Sequence, residues 1–366
     1  MNDKTPSRSQ ALFIFLSLAL SLIFSLLIAD WVLLYQRQSI ELSDHMEPGM
    51  IVYDAQLGWK LKPYWSGKHQ HYDYDVAYNI NRDGFRGIDT QAKEGGFSVV
   101  GDSFSFGLGV NDDETFVALL NESHHDIFYN YSVPGYSTDQ QLLLVNRHRN
   151  EMAQHVLLIV YLGNDIFDNM RSYPLQADHG KPFFKLIDDM LSLQNTPVPL
   201  QVKPAEVKAE SISSIVLGDD AKRNNLSAWL ADFEISRRIG LFHDDVFLSD
   251  DSMQARFQES LQLFNRLVIE IKDITDKNGG QLSIVLLPGR SYVEQPGSLS
   301  AQFQEYFRKN IMSSLTTRSS IEVLDLAVHL RGLHVNGVND LYYPNEGHLT
   351  PLGHRYVADY LAEQIH

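Results

Sequence analysis

The sequence predicts an α/β fold with about five parallel strands, preceded by one membrane-crossing helix and a small β-rich lead-in. From residue 96 onward, short apolar runs rich in β-formers alternate with helix-period segments, the pattern that builds a parallel sheet from βαβ units. Residues 11–29 are nineteen in a row without a charge. Between these regions, residues 53–63 and 72–81 alternate polar and bulky side chains at the strand period of two.

In chain order, residues 1–10 read as a cytoplasmic tail and 11–35 as a transmembrane anchor. At about 1.5 Å per residue the uncharged stretch nearly crosses a ~30 Å hydrocarbon layer. Lys4 and Arg8 precede it, only Arg37 follows closely, and Trp31 and Tyr35 stand where an interfacial aromatic belt lies, so the amino terminus is expected inside. A cleaved signal peptide is the competing reading, opposed by the length of the apolar core and the lack of a clean Ala-x-Ala site. Residues 36–95 are a stalk and lead-in: 36–50 are polar and acidic, Gly58 marks a turn or bulge, and Asp83-Gly84 a turn before Phe85.

In the domain spanning 96–366, strands are expected at 97–101, 127–131, 156–162, 282–287 and 321–326. Helices are expected at 114–122, 138–152, 253–277, 301–314 and 351–364. The last is the best marked, because Thr350 suits an N-cap and Pro351 the first helical position. Residues 165–252 form an insertion far longer than an ordinary connection. Prolines punctuate it, 183–187 and 226–235 are expected to form short helices, and its departure from the carboxyl end of a strand suggests a lid or substrate-shaping role.

A formal charge of −16 without any block of Lys or Arg argues against nucleic-acid partners and against anionic lipid surfaces. The chain has no cysteine, so it has no disulfide framework and no thiolate metal site. Among fourteen histidines, His69-Gln-His71 and His124-His125 are the obvious pairs, but no His-Glu-x-x-His helix or calcium loop accompanies them. They are expected to be solvated surface residues, and no metal is expected.

Ester cleavage needs a nucleophile, a base, a group that orients the base, and donors for the developing oxyanion. Ser103, in Gly101-Asp102-Ser103, ends the first strand, at the sheet edge where open α/β folds bind ligands; the plain alternative is a helix cap. Gly135 follows the second strand and can bring a backbone N–H to the substrate. Asn164, after Gly163 and the third strand, offers a side-chain donor. His348, just ahead of the final helix, is placed to be the base, and Glu346 or Asn345 lies near enough to orient it. Asp340 or another distant carboxylate is the remaining option. His354 falls inside the helix and reads as a packing or surface residue.

In this order and at these strand ends, Gly101-Asp102-Ser103, residues 130–135, Gly163-Asn164-Asp165 and the His348 loop resemble the four blocks of the SGNH (GDSL) hydrolase superfamily. Leu57-Gly58-Trp59, residues 79–87 and Leu286-Leu287-Pro288 resemble its membrane-anchored branch associated with bacterial envelope polysaccharides. The first resemblance, which covers roughly residues 96–366, implies a three-layer α/β/α flavodoxin-like fold and no cofactor. It implies Ser103 as nucleophile, His348 as base, and an oxyanion hole of the Ser103 N–H, the Gly135 N–H and the Asn164 side chain. The sequence departs from the pattern twice. Gly163 abuts Asn164 where one residue usually intervenes, and the acid's usual position holds Asn345, with Glu346 one residue closer to the histidine. The Gly-x-Ser-x-Gly elbow of α/β-hydrolases is absent.

The resulting expectation is a serine esterase removing O-acyl groups, acetyl above all, from an envelope or exported polysaccharide. It would sit in the bacterial cytoplasmic membrane through residues 11–35, with the catalytic domain outside. Seventeen Tyr and four Trp could stack on sugars, although such residues more often fill cores. The alternatives are an O-acetyltransferase on the same substrates and an inert polysaccharide-binding or assembly protein that has lost its acid.

Overall fold

Helix α1 (Arg8–Ser43) opens on a capping box in which Ser7 Oγ accepts the Gln10 N–H and the Gln10 side chain accepts the Ser7 N–H. Its 36 residues make it about 54 Å long, and its apolar stretch is long enough to cross a membrane. The polar residues 36–43 expected as a stalk continue the helix: no Gly or Pro interrupts them, and Arg37 pairs with Glu41 one turn on at 2.9 Å. The structure, a computed structural model, describes residues 7–89, 95–174, 179–200, 250–319 and 321–365.

The remainder of the described chain is built on a five-stranded parallel sheet in the order β12-β11-β8-β6-β7. Its strands are β6 (Phe97–Val100), β7 (Phe128–Asn130), β8 (His155–Tyr161), β11 (Gln281–Leu287) and β12 (Glu322–Leu324), each within two residues of expectation at every end. They are legible because a strand covered on both faces is a continuous apolar run. Val156 to Val160 and Ile284 to Leu287 are at most 2% exposed, and each such side chain contributes roughly 1.5–3 kcal/mol.

Around the sheet lie α2 (Ser103–Phe106), α3 (Phe116–Ser123), α4 (Thr138–His148), α5 (Asp165–Asp168), α6 (Asp250–Lys277), α7 (Arg290–Glu294), α8 (Leu299–Ser319), α9 (Leu326–Val335) and α10 (Pro351–Gln364). The step from β6 to β7 runs one way along the sheet and every later step runs the other way. Right-handed crossovers therefore send α3 to one face and α4, α6 and α8 to the other. Consistent with this, α4 and α8 both pack on α6, while α10 packs on α3. The helix of β6 thus leaves to the face opposite those of its neighbours β7 and β8, which opens a crevice at the carboxyl end of β6.

Helix α4 stops at His148, four residues short of expectation, and two further stretches differ. Residues 325–326 were expected in the last strand, but Asp325 caps α9, its carboxylate accepting the Val328 N–H, and the strand stops at Leu324. Residues 183–187 are not a helix: β9 (Phe183–Ile187) pairs with β10 (Met190–Gln194) as an antiparallel hairpin. The two residues between them, Asp188 and Asp189, have φ of 50° and 61°, the double left-handed turn whose twist matches paired strands. The helix expected at 226–235 lies outside the described residues, as does much of the insertion.

The lead-in is β-rich as expected. β1 (His45–Met46), β4 (Ser66–His71) and β5 (Tyr74–Asn79) form one antiparallel sheet, and β2 (Ile51–Asp54) and β3 (Gly58–Leu61) form a hairpin. Here His69, expected at the surface, is buried, with Nδ1 on the Tyr78 hydroxyl at 2.8 Å. The alternation of strand residues turns it inward between Tyr74 and Tyr78.

Candidate active site

Ser103 stands at the end of β6 because Gly101 lets the chain turn tightly there: a Cβ on Gly101 would lie 2.2 Å from Ser105 Oγ. The cap of α2 is Asp102, whose carboxylate accepts the Phe104 N–H at 2.9 Å, so Ser103 is not spent on capping. Burial pushes the Asp102 carboxyl up to about 6, against the opposing pull of His348 and of backbone donors.

His348 arrives from the loop between α9 and α10. The bridge between Tyr342 and Leu349 pinches this loop closed, and Gly347 turns it with φ 91°, a conformation that costs glycine little. The imidazole Nε2 lies 2.8 Å from Ser103 Oγ, and Nδ1 lies 2.5 Å from Glu346 Oε1. Glu346 Oε2 also accepts the His348 backbone N–H at 2.9 Å. Burial acts to raise the Glu346 carboxyl, but the hydrogen bonds and charge of His348 outweigh it and hold the group below its ordinary range. The ring of His348 rests on Phe104, which stacks in turn on Tyr161, with centroids 4.4 and 4.1 Å apart.

Ser103, His348 and Glu346 are thus brought together, and Asn345 is not part of that chain. Its backbone N–H and side-chain Nδ2 both go to Asp73, at 2.9 and 2.7 Å. Asp340 reaches the region through its carbonyl, which accepts the Thr350 hydroxyl at 2.6 Å. With both ring nitrogens of His348 engaged, no second carboxylate can take the same position. His354 is buried in α10, where Nδ1 accepts the Phe116 N–H at 3.2 Å. Burial first, then the charges of Arg86 and His348, bring its pKa down to about 3.

The three expected oxyanion donors lie on the carboxyl ends of neighbouring strands. Ser103 begins α2, and the first N–H groups of a helix have no intrahelical acceptor. Gly135 has φ 79°, and a Cβ there would press within 3.2 Å of the Trp59 ring. The Asn164 amide is buried and gives one hydrogen to Asp168 Oδ2 at 2.9 Å, which leaves its second N–H for a ligand. Gly163 has a steric role, since a Cβ would stand 2.4 Å from the Tyr161 ring.

Three lead-in residues escaped the sequence reading as parts of this site. Trp59 donates its indole N–H to the Pro134 carbonyl at 3.0 Å, and the Tyr136 hydroxyl bonds the Trp59 carbonyl, so β3 holds the Gly135 loop. Arg86 is buried behind α2: it donates to the carbonyls of Phe106, Gly107 and Val110 and to Asp112 Oδ1 at 2.6 Å. Its guanidinium lies over the Tyr78 and Phe106 rings. Asp73, at the turn between β4 and β5, holds the His348 loop. Trp59 and Arg86 stand in segments whose resemblance was noted, whereas nothing in the local pattern marks Asp73. Among the described residues, His124, His125 and Asp126 bring potential ligand atoms within 4.8 Å of one another. They lie just before β7, at the sheet edge opposite Ser103.

No family model and no curated protein matches the chain. Several solved structures are similar to it. A member of the lipolytic protein G-D-S-L family from Veillonella parvula is 14% identical with a TM-score of 0.39, over 74% of this chain and 97% of that one. A psychrotrophic esterase from Pseudoalteromonas is 11% identical with a TM-score of 0.35, over 76% and 97%. A lipase/acylhydrolase from Enterococcus faecalis is 11% identical with a TM-score of 0.35, over 74% and 95%. The five-stranded parallel sheet observed here, with helices on both faces and the four blocks at its carboxyl edge, is the architecture that the SGNH (GDSL) resemblance implies.

Proposed function

We propose that this chain is a serine hydrolase of the SGNH (GDSL) superfamily, a membrane-anchored esterase that removes O-acetyl groups from an envelope or exported polysaccharide. The single observation that carries the reading is the unbroken hydrogen-bond chain from Ser103 through His348 to Glu346.

In the reaction, Ser103 Oγ attacks the ester carbonyl while His348 Nε2 takes its proton. Glu346 holds Nδ1–H and offsets the imidazolium charge. The tetrahedral oxyanion accepts from the Ser103 N–H, the Gly135 N–H and the free Asn164 N–H. Collapse breaks the bond to the sugar oxygen, which leaves with the proton from Nε2, and Ser103 is acylated. Water, deprotonated by His348, then releases the carboxylic acid and restores the serine.

A fluorophosphonate probe should label the wild type and fail on Ser103→Ala, and acetate should be released from an acetylated polysaccharide. If the wild type neither labels nor releases acetate, the esterase reading is wrong. The polysaccharide assignment rests on the weaker branch resemblance and the apolar helix α1. Alkaline phosphatase fused after residue 45 should be active, and an inactive fusion would reverse the assigned orientation.

A further inference from the structure

Glu346 sits in a loop closed by its own backbone hydrogen bonds, from the Gly347 N–H to the Tyr343 carbonyl at 3.1 Å and from the Tyr343 N–H to the His348 carbonyl at 2.8 Å, which leave the position of Glu346 itself to other contacts. Gly347 follows it in the left-handed region, and the N–H groups of Asn345 and Glu346 find no partner within the loop. Their partner comes from the lead-in. Asp73 Oδ2 accepts both N–H groups at 2.9 Å, and Oδ1 accepts Asn345 Nδ2 at 2.7 Å. The Asp73 side chain is only 4% exposed. Its own backbone N–H is fixed on His71 Nδ1 at 3.1 Å. The contact continues on both flanks. The Tyr74 and Tyr343 rings meet at 5.2 Å, the Tyr343 hydroxyl donates to the Gly109 carbonyl, and the Gly109 N–H donates to the Tyr78 hydroxyl. The hairpin turn, the His348 loop and the segment after α2 are therefore one hydrogen-bonded assembly.

We propose that Asp73 is a positioning residue that sets Glu346 against His348, which makes the lead-in hairpin a working part of the active site. This rests on the serine-hydrolase reading. Asp73 is not catalytic: it touches neither substrate nor the imidazole, and it acts by fixing the backbone on which the orienting carboxylate is carried. A misplacement of about 1 Å at such a carboxylate costs on the order of 10²-fold in rate.

The test exchanges the two partners. In Asp73→Asn the amide oxygen can keep the two backbone N–H groups, but its NH2 then faces the Asn345 NH2, donor against donor. In Asn345→Asp two carboxylates face each other. In the double exchange the NH2 at position 73 meets a carboxylate at 345, and the pair is complementary again with the same net charge. Each single variant should lower kcat on an aryl acetate, and the rate of fluorophosphonate labelling, by about 10- to 100-fold, with KM within about twofold. The double exchange should recover to within about threefold of wild type. Melting temperatures identify any variant whose loss is only unfolding, and rates are taken per folded protein. The inference is overturned if Asp73→Asn labels at the wild-type rate, or if the double exchange is folded yet no faster than the singles. A wild type that neither labels nor hydrolyses overturns the serine-hydrolase reading as well, and so separates the two failures.

Discussion

Replacing Glu346 with Gln changes one terminal atom and removes one charge, yet it should nearly silence the site. Both carboxylate oxygens are in use, Oε1 on Nδ1 at 2.5 Å and Oε2 on the His348 backbone N–H at 2.9 Å. Each accepts from a fixed donor, and an amide has only one oxygen. If that oxygen stays on the backbone N–H, the NH2 faces Nδ1 and drives the imidazole proton to Nε2, where it blocks acceptance of the Ser103 proton; a tautomer error of this kind costs about 10⁴ in kcat. If the amide turns over, a backbone N–H is left against an NH2 at about 1–3 kcal/mol, and the imidazolium loses its counter-charge. A loss of roughly 10³- to 10⁴-fold in kcat follows, measured on an aryl acetate and by fluorophosphonate labelling, with the fold checked by melting. Asn345→Ala removes one of three bonds to Asp73 and should cost less than about tenfold. An Glu346→Gln protein within about threefold of wild type would refute the role given to this carboxylate. A faster Asn345→Asp protein would do the same from the other side.

Protonation of His354 should make the protein acid-sensitive. Its folded pKa, about 3, lies below its unfolded value of 6.5, so the folded state resists the proton; stability is intact above 6.5 and falls by about 1.4 kcal/mol per pH unit below it, until about pH 3. Urea midpoints of wild type and His354→Gln should converge as pH drops from 7 to 5, and parallel curves would refute the assignment. Arg86→Met should cost about 3 kcal/mol, because three carbonyls and Asp112 lose a buried partner; a urea-determined loss below about 1 kcal/mol would mean that the clamp is dispensable. Replacing residues 201–245 with a short Gly-Ser linker, while keeping the β9–β10 hairpin and the buried Lys181 whose ammonium pairs with the Asp139 carboxylate, should weaken action on an acetylated polysaccharide more than on an aryl acetate. Equal losses would remove the case for a substrate-shaping insertion.

The parallel strands and α10 were readable because their signals are local: unbroken apolar runs, and Thr350-Pro351 at a helix start. The positions of Ser103, His348 and Glu346 were readable for a related reason, since each stands beside a predicted strand or helix end. The hairpin at 183–194 was misread because Phe183 to Ile187 fits a short helix or a strand equally well, and the deciding feature is the left-handed pair Asp188-Asp189. The contacts of Asp73 and Arg86 could not be read, although Arg86 stands in a segment whose resemblance was noted. Their partners are backbone groups of distant loops, and no side-chain pattern announces a carbonyl.

The distance along the chain between the parts of this site has a kinetic meaning. Ser103 and His348 are 245 residues apart, and Asp73 and Asn345 are 272. During synthesis the lead-in and the nucleophile emerge long before the histidine loop exists, and joining them closes loops that span most of the chain. Contacts of such separation form slowly, because the loop entropy is lost before they return any stabilisation. The sheet can assemble strand by strand, but the active site becomes competent only when α10 and the loop ahead of it dock. Recovery of fluorophosphonate labelling on refolding should therefore lag behind recovery of helical signal, and the interval between them measures how long the protein exists as a folded sheet without a joined Ser103, His348 and Glu346.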